Sequence, residues 1–221
     1  MTARFRVLTA NLLHGRSNPS AFARLVGEHD PDLVVVQELG PGPADVLASA
    51  YPHHHLRPAL DFSGRGVASR LPGEFGDIDM PGRLGVGGSV PVGGTSVRIA
   101  GVHLLNPVNF PWWVTARRRG DQLDHLFRWI GGGVGPLLVL GDFNASPRWP
   151  AYKRMVHRLD DLVLDVGKPA PTWGYRPGWP KLLRIDHIFG VGVAATHVEA
   201  PLVEGSDHSA VVADIVVVDP A

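Results

Sequence analysis

Two short runs, Leu33–Val36 and Leu137–Leu140, are apolar at every position, so the strands they form carry apolar surface on both faces. Strands of that kind need a covering layer on each side. Further β-branched runs recur at Arg4–Thr9, Ser96–Leu105, Arg184–Phe189 and Ala210–Val218, with Val67–Ser69 a weaker candidate. Between them lie helical patterns. From about Thr115 to Ile130, Leu123, Leu126, Phe127 and Ile130 repeat at helical spacing until Gly131–Gly133 ends the run. Asn18–Pro19 offers an N-cap followed by proline in the first turn, and Ser146–Pro147 repeats that start signal. The fold class expected is layered α/β.

Neither a repeat nor a charge block divides the 221 residues, and glycine and proline are spread along the chain, so one domain is expected over 1–221. The chain contains no cysteine, which excludes disulfides, thiol nucleophiles and sulfur-ligated metals. A bound metal would then be a hard cation held by oxygen or imidazole. Lysine plus arginine balance aspartate plus glutamate at 21 each, a poor match to an indiscriminate duplex binder. No apolar run approaches the ~20 residues of a membrane span. Arg4 and Arg6 interrupt the N-terminal apolar pattern, which reads as a first strand and not as a secretory leader, so a cytoplasmic location is expected.

The chemistry gathers where the strands end. Asn11 follows the first run, Gln37–Glu38 the second, and His103 lies late in the next. Asp142 and Asn144 follow Leu137–Leu140, Asp186 lies within Arg184–Phe189, and Asp207–His208 precede the last strand. Loops at one end of an α/β sheet can bring such distant groups together. Glu38 and Asp207 suit a Mg²⁺-type ion, which takes few carboxylates and completes its shell with water and phosphate oxygens. Asp142 with Asn144 offers a base to orient water and a donor to hold a phosphoryl oxygen. Asp186 can fix the tautomer and raise the basicity of the His208 ring. Such crowding of carboxylates predicts strongly shifted acid constants.

In order along the chain, Thr9-Ala10-Asn11, Val36-Gln37-Glu38, Gly66-Val67-Ala68-Ser69-Arg70, Val102-His103-Leu104, Leu140-Gly141-Asp142-Phe143-Asn144, Arg184-Ile185-Asp186-His187-Ile188-Phe189 and Ser206-Asp207-His208 resemble the endonuclease/exonuclease/phosphatase superfamily of metal-dependent phosphoesterases, the fold of deoxyribonuclease I and exonuclease III. The resemblance implies a four-layer sandwich of two packed mixed β-sheets flanked by helices. It implies a Mg²⁺ or Mn²⁺ cofactor bound by Glu38, with Asn11 and Asp207 completing or supporting the metal and phosphate site. It also implies catalytic roles: Asp142 would orient or deprotonate the attacking water, and Asn144 would hold a phosphate oxygen. His208, oriented by Asp186, would contact the scissile phosphate, while His103 would stabilise phosphoryl oxygens or the leaving group. Relatives of deoxyribonuclease I give the His103-type imidazole an acidic partner near Gly66–Arg70; none stands there, and Asp61 is the nearest candidate.

Two loops are the candidates for choosing the substrate. Asn106–Arg119 carries Trp112, Trp113 and Arg117–Arg119; Pro169–Arg184 carries Trp173, Tyr175, Arg176, Trp179, Lys181 and Arg184. Trp113, Arg117, Trp173 and Arg184 are the candidate substrate contacts, by stacking and by phosphate pairing. Packing of each loop onto the body competes with that role, and Arg117–Arg119 read more as a solvated helix start. His53-His54-His55 reads as a solvated strand or loop more than as a second metal site, and Asp77, Asp79 and Asp160–Asp161 as surface acids. The activity expected is hydrolysis of a phosphodiester by direct attack of water, on a nucleic acid or small phosphodiester. Phosphomonoester, lipid or inositol phosphate hydrolysis and a silent binding protein with the same fold are the alternatives.

Overall fold

The computed structural model describes residues 3–108, 110–167 and 170–218. Two six-stranded mixed sheets pack face to face. The first has the order β11-β12-β1-β2-β4-β3, from β11 (Val193–Glu199), β12 (Val211–Val217), β1 (Arg4–Asn11), β2 (Leu33–Gln37), β4 (Arg65–Ser69) and β3 (His53–Arg57). The second has the order β5-β6-β7-β8-β10-β9, from β5 (Glu74–Ile78), β6 (Gly85–Val92), β7 (Thr95–His103), β8 (Leu137–Asp142), β10 (Asp186–Val191) and β9 (Asp160–Asp161). Each sheet contains one parallel pair, β1 with β2 and β7 with β8, and each pair is joined through a helix.

The wholly apolar runs occupy these parallel pairs. Val7, Leu33 and Val35 of the first sheet meet Val97, Ile99, Leu138 and Leu140 of the second in a buried core. On the outer face of the first sheet, Leu8, Ala10, Val34 and Val36 pack under α1 (Pro19–His29) and α2 (Pro41–Ala50). On the outer face of the second, Ala100, Val102 and Val139 pack under α3 (Trp112–Gly131) and α4 (Pro150–Val156). Alternate residues of the same strand thus enter different cores, giving four layers, helix–sheet–sheet–helix.

Local signals account for most helix boundaries. Asn18 caps α1, its side chain accepting from Ser20 N and Ala21 N with Pro19 at the first helical position, a cap worth about 1 kcal/mol. Ser146–Pro147 differs from expectation: it opens a turn closed by Trp149 N donating to Ser146 O at 2.9 Å, and α4 begins at Pro150. The His53-His54-His55 run is the edge strand β3, and Asp77 is no idle surface acid. Its Oδ1 lies 3.0 Å from His55 Nε2 and accepts from Arg65 Nε at 3.0 Å, tying the first sheet to β5 of the second. No described helix is long and apolar enough to cross a membrane.

Candidate active site

Strand register builds half of the site. Across the second sheet His103, Asp142 and Asp186 are direct neighbours on β7, β8 and β10, so an imidazole and two carboxylates stand in one row. Gly141 permits this close approach. Its φ is +140°, and a Cβ there would lie 2.1 Å from Val102 O. In the first sheet Asn11 pairs with Gln37 at the ends of β1 and β2, and Glu38 follows at φ +52°. Asn144, two residues beyond Asp142, is also left-handed at φ +46°. Two side chains of one cluster on such backbone mark a site where geometry is imposed on the chain.

The two rows meet in an open cleft of about 680 Å³ whose walls include Asn11, Glu38, His103, Asp142, Asn144, Asp207 and His208. Asn11 Nδ2 spans the sheets, donating to Glu38 Oε1 at 3.3 Å and Asp142 Oδ2 at 3.0 Å. Its Oδ1 is already committed to Leu13 N at 3.0 Å. Asn11 thus presents an N–H to each of the two carboxylates and braces them against each other. Asn144 N and Nδ2 donate to Asp142 Oδ1 and Oδ2 at 2.7 and 3.1 Å, fixing that carboxylate from its own loop. His208 Nδ1 donates to Asp186 Oδ2 at 2.9 Å, which leaves Nε2 facing the cleft, 3.9 Å from both Asp142 Oδ2 and Asp207 Oδ1.

Crowding sets the charges. Burial pushes Asp142 up, aided by the neighbouring Asp186 charge and opposed by His208, to about 7. For His208 burial acts downward, yet Asp186, Asp142 and Asp207 together lift it to about 9. At neutral pH this ring is a cation. Burial, and then the Arg83 charge, push His103 well below its ordinary value, so it is neutral.

As the sequence indicated, the Gly66–Arg70 segment gives His103 no acidic partner, and Asp61 does not take that place. The Asp61 carboxylate caps its own turn, accepting from Ser63 N at 2.7 Å. Arg83 instead donates from Nη1 to His103 Nε2. The sequence carried no signal for Arg83, because it sits in a Gly/Pro turn between β5 and β6, far from any strand-exit motif. His14 also went unnoticed: its backbone N–H donates to Glu38 Oε2 at 2.8 Å and its ring Nε2 lies 3.0 Å from the same oxygen.

The expected substrate contacts separate sharply. Trp173 lines the cleft and donates from Nε1 to Asp207 Oδ2 at 3.0 Å. Lys181 Nζ holds Asp207 O at 2.7 Å. Arg184 points elsewhere, into a buried pair in which Nη2 and Nη1 donate to Asp161 Oδ2 and Oδ1 at 2.8 and 3.2 Å. Asp161 is accordingly a buried partner and not a surface acid. Trp113, 59% exposed, stands edge-on to Trp112, and neither it nor Arg117 lines the cleft. Arg119 is buried, donating to Leu105 O and, at 3.1 Å, to Phe143 O, so it clamps the exits of β7 and β8 and is not part of a solvated helix start. Pro169, the expected start of its loop, lies outside the described residues.

The donor set fits a hard divalent cation. Buried Asp207 Oδ1 and Asp186 Oδ1 have no hydrogen-bond partner, the condition of oxygens prepared for a ligand the protein does not itself supply. Ligand atoms of Asp142, Asp186 and His208 lie within 4.8 Å of one another. A cationic His208 has no lone pair to offer, which moves cation binding toward the carboxylates.

Known proteins share this architecture. An endonuclease/exonuclease/phosphatase from Beutenbergia cavernae superposes with a TM-score of 0.78 at 22% identity, covering 98% of this chain and 72% of the other. A D. rerio TDP2 complexed with single-strand DNA product gives 0.76 at 17%, covering 96% and 98%. The 3′ phosphatase NExo from Neisseria, bound to a product DNA hairpin, gives 0.73 at 22%, covering 95% and 98%. A UPF0294 protein of Vibrio vulnificus is 30% identical over 107 residues, 48% of this chain, and the match spans only 35% of that relative. The model of the Endonuclease/Exonuclease/phosphatase family matches residues 8–208, a span that holds every cleft residue described above, and the chain belongs to that family.

Proposed function

We propose that this protein is a divalent-metal-dependent phosphoesterase that hydrolyses a phosphodiester by direct attack of water, with a single-stranded nucleic acid or a small phosphodiester as substrate. The observation that carries the proposal is the state of Asp142: a buried carboxylate held by two asparagines, raised to about 7, beside a cationic His208. A base near neutrality can both be ionised and accept a proton from water. Asp142 orients the water and takes its proton as the oxygen attacks phosphorus and the ester oxygen departs. His208, held by Asp186, donates Nε2–H to a phosphoryl oxygen. The amides of Asn11 and Asn144, whose Nδ2 hydrogens are committed to Glu38, Asp142 and Leu104 O, hold the Asp142 carboxylate in place, while His103, neutral, faces the phosphoryl group from β7. Glu38 and Asp207 would hold Mg²⁺ or Mn²⁺, which supplies charge neutralisation for the phosphoryl oxygens and the leaving group.

The cleft of about 680 Å³ has room for a substituent on each side of the phosphorus, which supports the diester reading. The test is a panel of phosphodiesters and phosphomonoesters assayed with Mg²⁺, Mn²⁺, Ca²⁺ or EDTA, for the parent, Asp142→Asn and His208→Ala. Metal-dependent cleavage of a diester that both variants lose is the expected result. Equal activity of parent and variants, or no cleavage of any ester, overturns the assignment.

A further inference from the structure

Among the described residues three arginines are buried, and two are fully explained. Arg184 lies against both oxygens of Asp161 and against Tyr152 Oη, and Arg119 against two backbone carbonyls. Arg83 is different. It is 8% exposed, its Nε has no hydrogen-bond partner, and no carboxylate among the described residues lies within ion-pair distance of it. Its Nη1 donates only to His103 Nε2 and, at 3.4 Å, to Leu104 O. A buried guanidinium with unfilled donors is costly unless something else supplies the acceptors.

Its position says what that acceptor is. The His103 Nε2 that Arg83 touches lies 3.6 Å from Glu38 Oε1 and 3.5 Å from Asp142 Oδ2, so the guanidinium stands beside the reaction centre. The other side of Arg83 walls a second chamber of about 390 Å³ bordered by Phe62, Ser63, Gly64, Met80 and Gly82. Arg83, Phe62 and His103 line both spaces, which makes the chamber an annex of the cleft. The guanidinium lies over the Phe62 ring, 4.8 Å from its centroid, and Phe62 is 45% exposed. Its planar fork matches two phosphate oxygens better than it matches a lone imidazole nitrogen. The annex is within the size range of small-ligand sites.

We propose that Arg83 is a catalytic ligand of the reacting phosphoryl group, and that the annex behind it receives one of the two ester substituents, of about nucleoside size, with Phe62 as its stacking surface. This deepens the phosphodiesterase reading and rests on it. Arg83 enters the reaction from the turn between β5 and β6, beside His103, and adds a positive charge to this wall of the cleft.

The experiment compares the parent with Arg83→Ala, Arg83→Lys and Ser63→Trp on a single-stranded oligonucleotide and on methyl 4-nitrophenyl phosphate, with Mg²⁺ or Mn²⁺ present. Arg83→Ala is expected to lower kcat on both substrates about a hundredfold. Guanidinium chloride at subdenaturing concentration should restore part of that loss. Arg83→Lys should retain the charge but lose the fork, with kcat about tenfold down; if Arg83→Ala does not fold, this variant decides. Ser63→Trp narrows the annex and should raise KM about tenfold for the oligonucleotide while leaving the small diester unchanged. An active parent whose Arg83 variants keep full kcat overturns the inference, as does an Arg83→Ala defect that guanidinium leaves untouched, the signature of a merely structural side chain. An unchanged KM in Ser63→Trp overturns the annex. Inactivity of the parent on every phosphoester instead overturns the phosphodiesterase reading.

Discussion

Two buried acidic clusters lie almost side by side on the second sheet and have opposite electrostatics. At the end of β8, Asp142 is raised to about 7 in company with Asp186 and His208. At β9, Asp161 accepts from both Arg184 nitrogens, from Tyr152 Oη at 2.7 Å and from Val163 N at 3.1 Å. Burial by itself raises Asp161 too, but the Arg184 hydrogen bond and charge outweigh it and the net shift is downward. Burial is common to both. The difference is satisfaction: Asp161 has its countercharge within reach, whereas the Asp142 cluster and its neighbour Asp207 keep Asp186 Oδ1 and Asp207 Oδ1 unpaired. A cluster closed on itself stabilises the fold, and a cluster left open stores unfavourable charge until a ligand arrives.

The largest effect should come from breaking the open cluster. Asp142→Asn is expected to cut kcat about a thousandfold, the scale of a lost general base. The same variant should raise the melting temperature of the metal-free protein. The folded Asp142 value of about 7 lies above its ordinary carboxylate value, so ionisation opposes folding increasingly from about pH 4 to 7 and fully above that. Thermal denaturation at pH 8 checks this, and a destabilised Asp142→Asn would erase the distinction between the clusters.

Breaking the closed cluster should do the reverse. Asp161→Ala leaves the Arg184 charge buried and alone, costing about 3 kcal/mol in urea unfolding, while kcat per folded molecule stays within about twofold. The sign with pH is also opposite. Asp161 is held below its unfolded value, so its contribution is present above about pH 4 and is lost as pH falls through the folded value. The gap between parent and Asp161→Ala should therefore close only in acid.

Removing the cation sharpens the same contrast. EDTA should abolish turnover, and millimolar Mg²⁺ should raise the melting temperature of the parent more than that of Asp207→Asn, since only the open cluster gains a partner by binding. The smallest effects belong to the tryptophans. Trp173→Phe removes the indole donor to Asp207 Oδ2 and should cost about 1 kcal/mol, with activity reduced severalfold. Trp113→Ala, exposed and outside the cleft, should change stability by no more than about 0.5 kcal/mol and activity not at all.

These contrasts mark what was legible in the sequence. The β1, β2, β7, β8 and β12 strands were readable, because a strand that passes between two cores must be apolar at successive positions. Asn11, Glu38, His103 and Asp142 were readable at strand ends and Asp186 within a strand run, and register then set Asn11 beside Gln37 and His103, Asp142 and Asp186 in a row. Strands β5 and β6 were not readable, since glycine replaces the β-branched signal there, and the edge strand β3 read only as a strand or loop because histidines occupy it. Helix α2 was missed for a similar reason, its first turn being Pro-Gly-Pro and its N-cap a glycine without a side chain.

What the sequence determined by itself is therefore the layered fold and the identity of the reactive groups, because apolar periodicity and residue chemistry are local properties. What only the tertiary structure decided is which charges find partners. Arg83, Arg119 and Arg184 look alike as letters, yet one lines the cleft with an unpartnered nitrogen, one clamps two backbone carbonyls and one closes on Asp161. Pairing depends on distances between residues far apart in the chain, and those exist only once both sheets have packed.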